Sequence, residues 1–259
     1  MLNLKGSVVF VTGATAGIGR ETALAFARLG TRVLVCGRRE DRLDTLVGEL
    51  REAGAEDAHG FALDVRSRSA VETALAELPE AWRAVRVLVN NAGLSRSLTK
   101  LYEEDPDEFD EMIDTNIKGL LFVTRALVPG MVERGVGHVI NLGSTAGHMA
   151  YSGGTVYCAT KAAERSISDG LRLDLLGTPV RVSSIDPGMV ETEFSEVRFR
   201  GDTARAKKVY EGFTPLVAED IADAIVWAAT RPLHVSIQTV LLTSVHQANS
   251  LVTHRQPKP

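Results

Sequence analysis

The segment "TVYCATKAAERS", Thr155 to Ser166, holds a phenol and an ammonium, Tyr157 and Lys161, at positions i and i+4. On a helix those positions share one face with their Cβ atoms close together, so both groups can serve one site. A phenol alone titrates near pH ~10; a fixed cation beside it favours the phenolate and makes the hydroxyl a better proton donor near neutrality. The spacing equally suits a solvated pair on an exposed face, so the surrounding elements must decide.

A second chemical signal lies near the N-terminus. "TGATAGIGR" places Gly13, Gly17 and Gly19 between an apolar run, "SVVFVTG", and a helical pattern. Glycine lets the backbone turn tightly and approach a pyrophosphate, whose charge is met by free N–H groups at the start of the helix. The spacing is GxxxGxG, and such a turn can also serve plain packing, but its place after the first strand favours a nucleotide. About twenty residues on, a site for NAD would carry an acid for the ribose 2′-hydroxyl. This chain reads "CGRRE" instead. Arg38 and Arg39 can meet a 2′-phosphate with forked, charge-assisted hydrogen bonds, which predicts NADP(H) as cofactor; otherwise they are two arginines on a solvated turn.

Positioning these groups requires a regular frame, and the sequence supplies one. Short β-branched runs alternate with helical patterns: "SVVFVTG", "TRVLVCG", "GFALDV", "VRVLVNNAG", "HVINLGS", "RVSSIDPG" and "IQTVLLTS". The runs are nearly continuously apolar, as strands buried on both faces of a parallel sheet should be. With right-handed crossovers this predicts an α/β fold, a single-domain Rossmann-type doubly wound seven-stranded parallel sheet flanked by helices, over residues 1–259. "PDEFDEMIDTNIKGLLFVTRALVPGMVERG" reads as one long helix, with Asp105 as cap and Pro106 in its first turn. Two segments read as irregular: Thr145 to Thr155, and an insertion at about 189–213 of the kind that forms a substrate loop.

Composition narrows the function classes. With 259 residues, 44% apolar and 24% charged, the chain is an ordinary globular one. Its net charge of −4 comes from interspersed acids and bases, without a basic stripe for nucleic-acid phosphates. The two cysteines, Cys36 and Cys158, offer neither a disulfide framework nor a metal motif, and Cys158 reads as a small helix filler. No His cluster has metal spacing, and neither signal peptide nor membrane span is expected; a cytoplasmic protein fits.

Taken in order, the glycine turn, "NNAG" at Asn90 to Gly93, Asn116, Ser144, "YCATK" and "DPG" at Asp186 to Gly188 resemble the short-chain dehydrogenase/reductase family over essentially the whole chain. The resemblance implies a hydride-transferring oxidoreductase. Tyr157 would be the acid/base, Lys161 would lower its pKa and bind the nicotinamide ribose, and Ser144 would hydrogen-bond the substrate oxygen. Asn116, a poor mid-helix former, would hold a water linking Lys161 to solvent. Around the cofactor the resemblance adds Thr15, Ala16 and Ile18 at the glycine turn, and Asp64 and Val65 at the adenine. It also adds Asn91, Ala92 and Gly93 along the adenosine ribose and central backbone, and Pro187, Gly188, Val190 and Thr192 towards the nicotinamide. Asp64 equally suits a cap on the next helix.

"GRREDRL", "MIDTNIKGL", "GSTAG", "TEFSEVRFRGD" and "HRQ" resemble the NADP-dependent 3-hydroxy acid dehydrogenase branch, which implies serine, allo-threonine or a similar small hydroxy acid as substrate. A desolvated carboxylate needs a cation, and Arg198, Arg200 and Arg96 are candidates, with His148 and Tyr151 expected at the cavity wall. The alternatives are a carbonyl reductase for neutral ketones or aldehydes and, in another class, a nucleotide-sensing regulator. Met112, Ile113, Leu120, Leu121 and an apolar last strand suggest self-association, and the resemblance implies a homotetramer built on the long helices and last strands. The tail "QPKP" is expected to be disordered.

Overall fold

A computed structural model describes residues 1–96 and 98–256. The strands are β1 (Val8–Thr12), β2 (Arg32–Gly37), β3 (Asp57–Ala62), β4 (Val85–Asn90), β5 (Gly137–Leu142), β6 (Val180–Pro187) and β7 (Thr239–Leu242). They pair in parallel in the order β3-β2-β1-β4-β5-β6-β7. The order reverses between β1 and β4, so a crevice opens there beyond the carboxyl ends of the strands. The apolar runs explain the burial: all five residues of β1 and all eight of β6 are buried.

Helices cover both faces. On one, α1 (Gly17–Ala27) and α10 (Ala218–Ala229) pack together, with α2 (Glu40–Glu52) beside them through Leu43, Leu46 and Leu50. On the other, α3 (Arg68–Ala76), α6 (Leu120–Glu133) and α7 (Thr155–Asp174) enclose Phe10, Leu34, Leu88 and Val139. A short α4 (Glu80–Arg83) adds Trp82 to this second layer. Each layer buries the apolar stripe of its helices against one sheet face, the main stabilising term of such a fold.

The expected long helix is not uniform. It begins as α5 (Pro106–Ile113), capped by the Asp105 carboxylate, which accepts from the Asp107 N–H. It then widens into a π-helical turn, Asp114–Gly119, before continuing as α6. π-Turns commonly sit where a helix must re-aim a side chain, and here the turned residues include Asn116. Gly119 lets this turn approach the β3 end: a Cβ there would stand 2.6 Å from Val65 Cγ2. Of the residues expected to mediate association, Met112 and Leu120 belong to the core, Ile113 is half-buried and only Leu121 is exposed.

The 189–213 segment is partly helical, with α8 (Phe194–Arg198) and α9 (Thr203–Lys208). Its ends are tied down: the Tyr210 hydroxyl donates to Val190 O at 2.8 Å, and the Met189 N–H donates to Gln247 Oε1 at 2.8 Å. The chain end straps it further. Arg255 donates to the carbonyls of Val209 and Glu211, and the Gln256 N–H donates to Gly212 O at 2.7 Å. Gln256 thus has a backbone partner, and the rest of "QPKP", Pro257 to Pro259, lies outside the described residues.

Candidate active site

The cleft at the strand ends encloses about 320 Å³ and is built from both halves of the sheet. Its floor on one side is the turn after β1. Gly13 adopts φ +64° and a Cβ there would stand 2.8 Å from Ala92 Cα, so only glycine lets the β1 and β4 turns meet. Gly19 lies just behind the lining, with Asn91 Nδ2 2.3 Å from where its Cβ would be. The Asn91 amide donates to Thr12 O and Gly13 O at 2.8 and 3.0 Å, fastening the same two turns. At the start of α1 no side chain caps the helix and its first turn carries no acid. Thr15, Ala16, Gly17 and Ile18 thus present uncapped N–H groups to the cleft, a ready site for an anion.

Arg38 and Arg39 line the outer end. Arg39 donates to Thr15 Oγ1 at 3.1 and 2.8 Å and pairs with Glu193 at 3.2 Å. Arg38 is exposed and makes no hydrogen bond or ion pair among the described residues. Asp64 and Val65 also line this end. Asp64 does not cap α3, whose cap is Ser67. Instead its carboxylate takes paired hydrogen bonds from Arg66, which hold its pKa below the usual carboxylate range despite partial burial.

At the inner end stand Asn91, Ala92, Gly93, Ser144, Tyr157, Lys161, Pro187, Gly188, Val190 and Thr192. The phenol and ammonium lie on one face of α7, as their spacing requires. Lys161 Nζ donates to Leu142 O at 2.5 Å, anchoring the ammonium under the end of β5, with the Glu164 carboxylate 3.5 Å away. Ser144 caps a 3₁₀ turn, its hydroxyl accepting from the Ala146 N–H at 3.1 Å. Asn116 does not line the cleft. Its Nδ2 hydrogens go to Leu94 O and Thr160 Oγ1 at 2.8 and 3.0 Å, while Oδ1 accepts from the Leu94 N–H at 2.8 Å. That amide clamps the β4 turn and the π-turn to α7.

The expected substrate residues separate. His148 does not line the cleft: Nε2 faces the Asp186 carboxylate at 2.5 Å and Nδ1 faces Arg165 at 3.2 Å, holding the ring on the far side of the turn. Tyr151 and Arg198 lie just behind the wall. The Tyr151 hydroxyl accepts from Arg198 Nη2 at 3.3 Å, and burial raises its pKa above that of an ordinary phenol. The Arg198 guanidinium carbon lies 5.5 Å from the Tyr157 ring centroid and 5.1 Å from that of Phe194. Arg198 Nε is buried and has no partner among the described residues. The other two arginine candidates are spent: Arg96 holds Glu111 and Val197 O, and Arg200 holds Glu108.

Some lining residues carry no sequence signal of their own. Burial is the largest single effect on the Glu193 carboxyl and raises its pKa, but the hydrogen bonds and charges of Arg42 and Arg39 together outweigh it and hold the pKa below the usual range. Phe194 sets its ring 5.7 Å from that of Tyr157, and Leu94 and Val197 complete an apolar wall. Glu193 stands next to Thr192, but nothing local pairs it with an arginine far back in the chain. Among the described residues no group of three or more His, Cys, Asp or Glu could hold a metal ion, and no helix is long and apolar enough to cross a membrane. Both cysteines are buried, and burial pushes the Cys36 thiol up to about 12.

A family model described as short chain dehydrogenase matches residues 7–202. The NADP-dependent 3-hydroxy acid dehydrogenase YdfG of Salmonella typhi is 50% identical over 250 residues, spanning 96% of this chain and 99% of that protein. Sulfoacetaldehyde reductase 2 of Chromohalobacter salexigens is 45% identical over 242 residues, spanning 93% of this chain and 95% of that protein. Among solved structures, the closed form of serine dehydrogenase complexed with NADP+ superposes with a TM-score of 0.90 at 47% identity, covering 96% of this chain and 100% of that one.

Proposed function

The chain belongs to the short-chain dehydrogenase family, and from that premise we propose that it is an NADP-dependent oxidoreductase acting on the CH–OH group of a small 3-hydroxy acid, serine, allo-threonine or similar, or on the matching carbonyl. One observation carries the proposal: a single cleft is lined by the anion-binding turn at Gly13 to Gly17, by Arg38 and Arg39, and by Ser144, Tyr157 and Lys161.

The residues fit a bound dinucleotide. Gly13 and Gly17 leave room that a Cβ would fill, the start of α1 has uncapped N–H groups for the pyrophosphate, and Arg38 offers an uncommitted fork for a 2′-phosphate. Asp64 and Val65 would flank the adenine. Asn91, Ala92 and Gly93 would follow the ribose and backbone, and Pro187, Gly188, Val190 and Thr192 would face the nicotinamide. When bound, the cofactor supplies or accepts the hydride.

The chain's own residues manage the proton and the charge. Tyr157 gives its phenolic proton to the substrate oxygen in reduction and takes it back in oxidation. Lys161, fixed by Leu142 O, places its ammonium on the same helix face as the phenol. Ser144 donates to the substrate oxygen as charge develops there. Asn116 acts as the clamp that sets Leu94 against α7. Arg198, with a buried unpartnered Nε beside the Tyr157 ring, receives the substrate carboxylate, while Tyr151 orients the guanidinium. The anionic groups named for the relatives, a hydroxy acid and a sulfonated aldehyde, support a cationic anchor at this place. The segment at about 189–213, which carries Arg198, Phe194 and Glu193, forms the substrate loop.

The apolar wall of Leu94, Phe194 and Val197 favours a second reading, a reductase for neutral ketones or aldehydes. A regulator without chemistry has no use for the assembled proton donor, and it would bind NADP(H) without turnover. Exposed Leu121 and the apolar edge strand β7, with Leu241 exposed, support a homotetramer, and the free cysteines accord with a reducing cytoplasm. The test is turnover with NADP and with NAD over a panel of 3-hydroxy acids and neutral alcohols, followed by the reduced nicotinamide's absorbance. Preference for NAD, or for the neutral alcohols, overturns the corresponding part of the proposal.

A further inference from the structure

Arg198 stands at the end of a very short element. Helix α8, Phe194–Arg198, has five residues. A helix of that length is not stable through its own hydrogen bonds, so the place of Arg198 depends on what ties α8 to the rest of the chain. At its start Glu193 is held by Arg39 and Arg42 at the outer cleft. The Ser195 hydroxyl meets that of Tyr210 at 2.7 Å, but Tyr210 belongs to the same 189–213 segment and moves with it. The last turn, next to Arg198 itself, is tied to α5 by two other arginines. Arg96 sets Nε and Nη2 side-on against the Glu111 carboxylate at 2.7 and 2.9 Å, and its Nη1 donates to Val197 O at 2.6 Å. Arg200 donates from Nε and Nη2 to Glu108 Oε1 at 3.1 and 2.8 Å. Glu108 and Glu111, three residues apart on α5, share one helix face.

The two ties are unequal. The Arg200 side chain is 62% exposed, and an ion pair so open to water contributes little. Its backbone also takes φ +52°, a left-handed conformation that no other non-glycine residue adopts among the described residues, so the outer tie works against a local cost. Arg96 is only 12% exposed and Glu111 20%. The hydrogen bonds from Arg96 hold the Glu111 pKa below the usual carboxylate range against partial burial, which keeps the pair charged at neutral pH. Val197 O, a last-turn carbonyl, accepts from the Arg200 N–H at 3.3 Å, a longer bond than the 2.6 Å one from Arg96. The base of the bridge is itself fixed, because Arg96 follows two residues after Leu94, whose N–H and C=O are both held by Asn116. A planar fork can grip a carboxylate along one edge and aim its remaining amino group at a carbonyl; an ammonium has no plane to relate the two.

We propose that Arg96 is a positioning residue that sets the preference for acidic substrates: by bridging Glu111 to Val197 O it holds the end of α8 so that Arg198 faces the substrate carboxylate, a role that rests on reading Arg198 as the carboxylate anchor. The direct contacts of Arg198 do not fix it alone. Its guanidinium carbon lies 5.5 Å from the Tyr157 ring centroid and 5.1 Å from that of Phe194, and its one hydrogen bond, to the Tyr151 hydroxyl, is 3.3 Å long. Two rings and a hydroxyl let a guanidinium slide and turn. The neighbouring carbonyl, pinned by Arg96, determines how far along that surface it stands. Arg96 does not bind the substrate, since one edge of its guanidinium is taken by Glu111 and its Nη1 by Val197. A displaced Arg198 deprives an acid of its charge partner while leaving the hydroxyl chemistry of Ser144 and Tyr157 in place, so Arg96 acts on which substrate is bound and not on the reacting bond.

Two measurements on the full chain test this role. Without substrate, backbone hydrogen exchange over residues 194–201 should be roughly fivefold faster or more in Arg96→Met and Arg96→Lys, the loss of one hydrogen bond of ordinary net strength, while exchange in α6 stays as in the wild type. Unchanged exchange over 194–201 in both variants would overturn the role whatever the enzyme acts on. In turnover, Arg96→Lys should lower kcat/KM for a 3-hydroxy acid by about tenfold, mostly through KM, and by no more than Arg198→Ala does. In the Arg198→Ala background the same substitution should cost nothing further, because both act through one contact. Losses that multiply would refute the role. So would wild-type kinetics in Arg96→Lys, which would leave only the charge at work and not the bridge. Failure of the anchor reading shows in a different protein: Arg198→Ala, with Arg96 intact, would leave kcat/KM for the acid unchanged. Should Arg96→Lys not fold, Glu111→Gln loosens the same fork from the other side and takes its place in both measurements, with melting temperature as the check.

Discussion

Replacing Arg198 with alanine tests the substrate assignment most directly. Its guanidinium is held by one 3.3 Å hydrogen bond from Nη2 to Tyr151, while Nε is buried with no partner. A carboxylate placed there can take one or two N–H donors, and each charge-assisted hydrogen bond contributes about 1.5–3 kcal/mol. Losing one such bond should lower kcat/KM for serine or a similar 3-hydroxy acid by roughly 10- to 150-fold, the conversion being tenfold per ~1.4 kcal/mol. Arg198 also packs over the rings of Tyr157 and Phe194, so its removal can loosen the site for any substrate. A neutral alcohol of matching length separates the two effects: loose packing slows both substrates, whereas loss of a charge partner slows only the acid. Arg198→Lys keeps the charge without the planar fork and should fall between wild type and alanine. Steady-state kinetics of the three proteins on both substrates is the assay. An equal loss on acid and alcohol, or no loss on the acid, would refute the carboxylate assignment.

Other expectations follow from the same geometry. Tyr157→Phe keeps the ring that packs on Phe194 but removes the proton, so turnover should drop by at least ~100-fold while NADP still raises the melting temperature; an active variant would remove Tyr157 from the mechanism. Arg38→Asp puts an acid where an exposed cation makes no hydrogen bond or ion pair among the described residues, and should turn cofactor preference from NADP towards NAD, read as the ratio of the two kcat/KM values; an unchanged ratio would count against Arg38. His138 is buried, and desolvation, with Arg181 nearby, pushes its pKa down to about 3, so the folded ring stays neutral where the unfolded one is charged. Its stabilising effect is present above the ordinary imidazole pKa of ~6.5 and is lost as pH falls towards the folded value, at up to ~1.4 kcal/mol per pH unit. Urea unfolding at a series of pH values should show this slope, lessened by about one proton in His138→Gln; an identical slope would show that the ring is not the source.

The difference between what was legible in the sequence and what was not follows from the range of the interactions. Strands show in the sequence because burial on both faces demands a local run such as "VVFVT", and the glycine turn shows because φ +64° at Gly13 selects a residue type at one position. Tyr157 and Lys161 show because α-helical geometry converts a four-residue spacing into a shared face. The π-turn at Asp114–Gly119 does not show, since it depends on Asn116 reaching Leu94 and Thr160, contacts fixed only after the β4 turn and α7 have packed. The same limit explains Glu193, which acquires meaning only when the insertion folds onto Arg39 and Arg42. It explains His148 as well. A histidine in a glycine- and serine-rich loop beside the catalytic helix reads as a cavity residue, and only the depth of Asp186 behind Gly143 turns it the other way: a Cβ on Gly143 would stand 1.9 Å from that carboxylate. Three arginines near the cleft look alike along the chain, yet carboxylates remove two of them from consideration, Glu111 taking Arg96 and Glu108 taking Arg200. Arg198 is distinguished by lacking such a partner. The residues that set specificity here are therefore identified by which charges the fold leaves unpaired, a quantity that exists only once the distant segments have met.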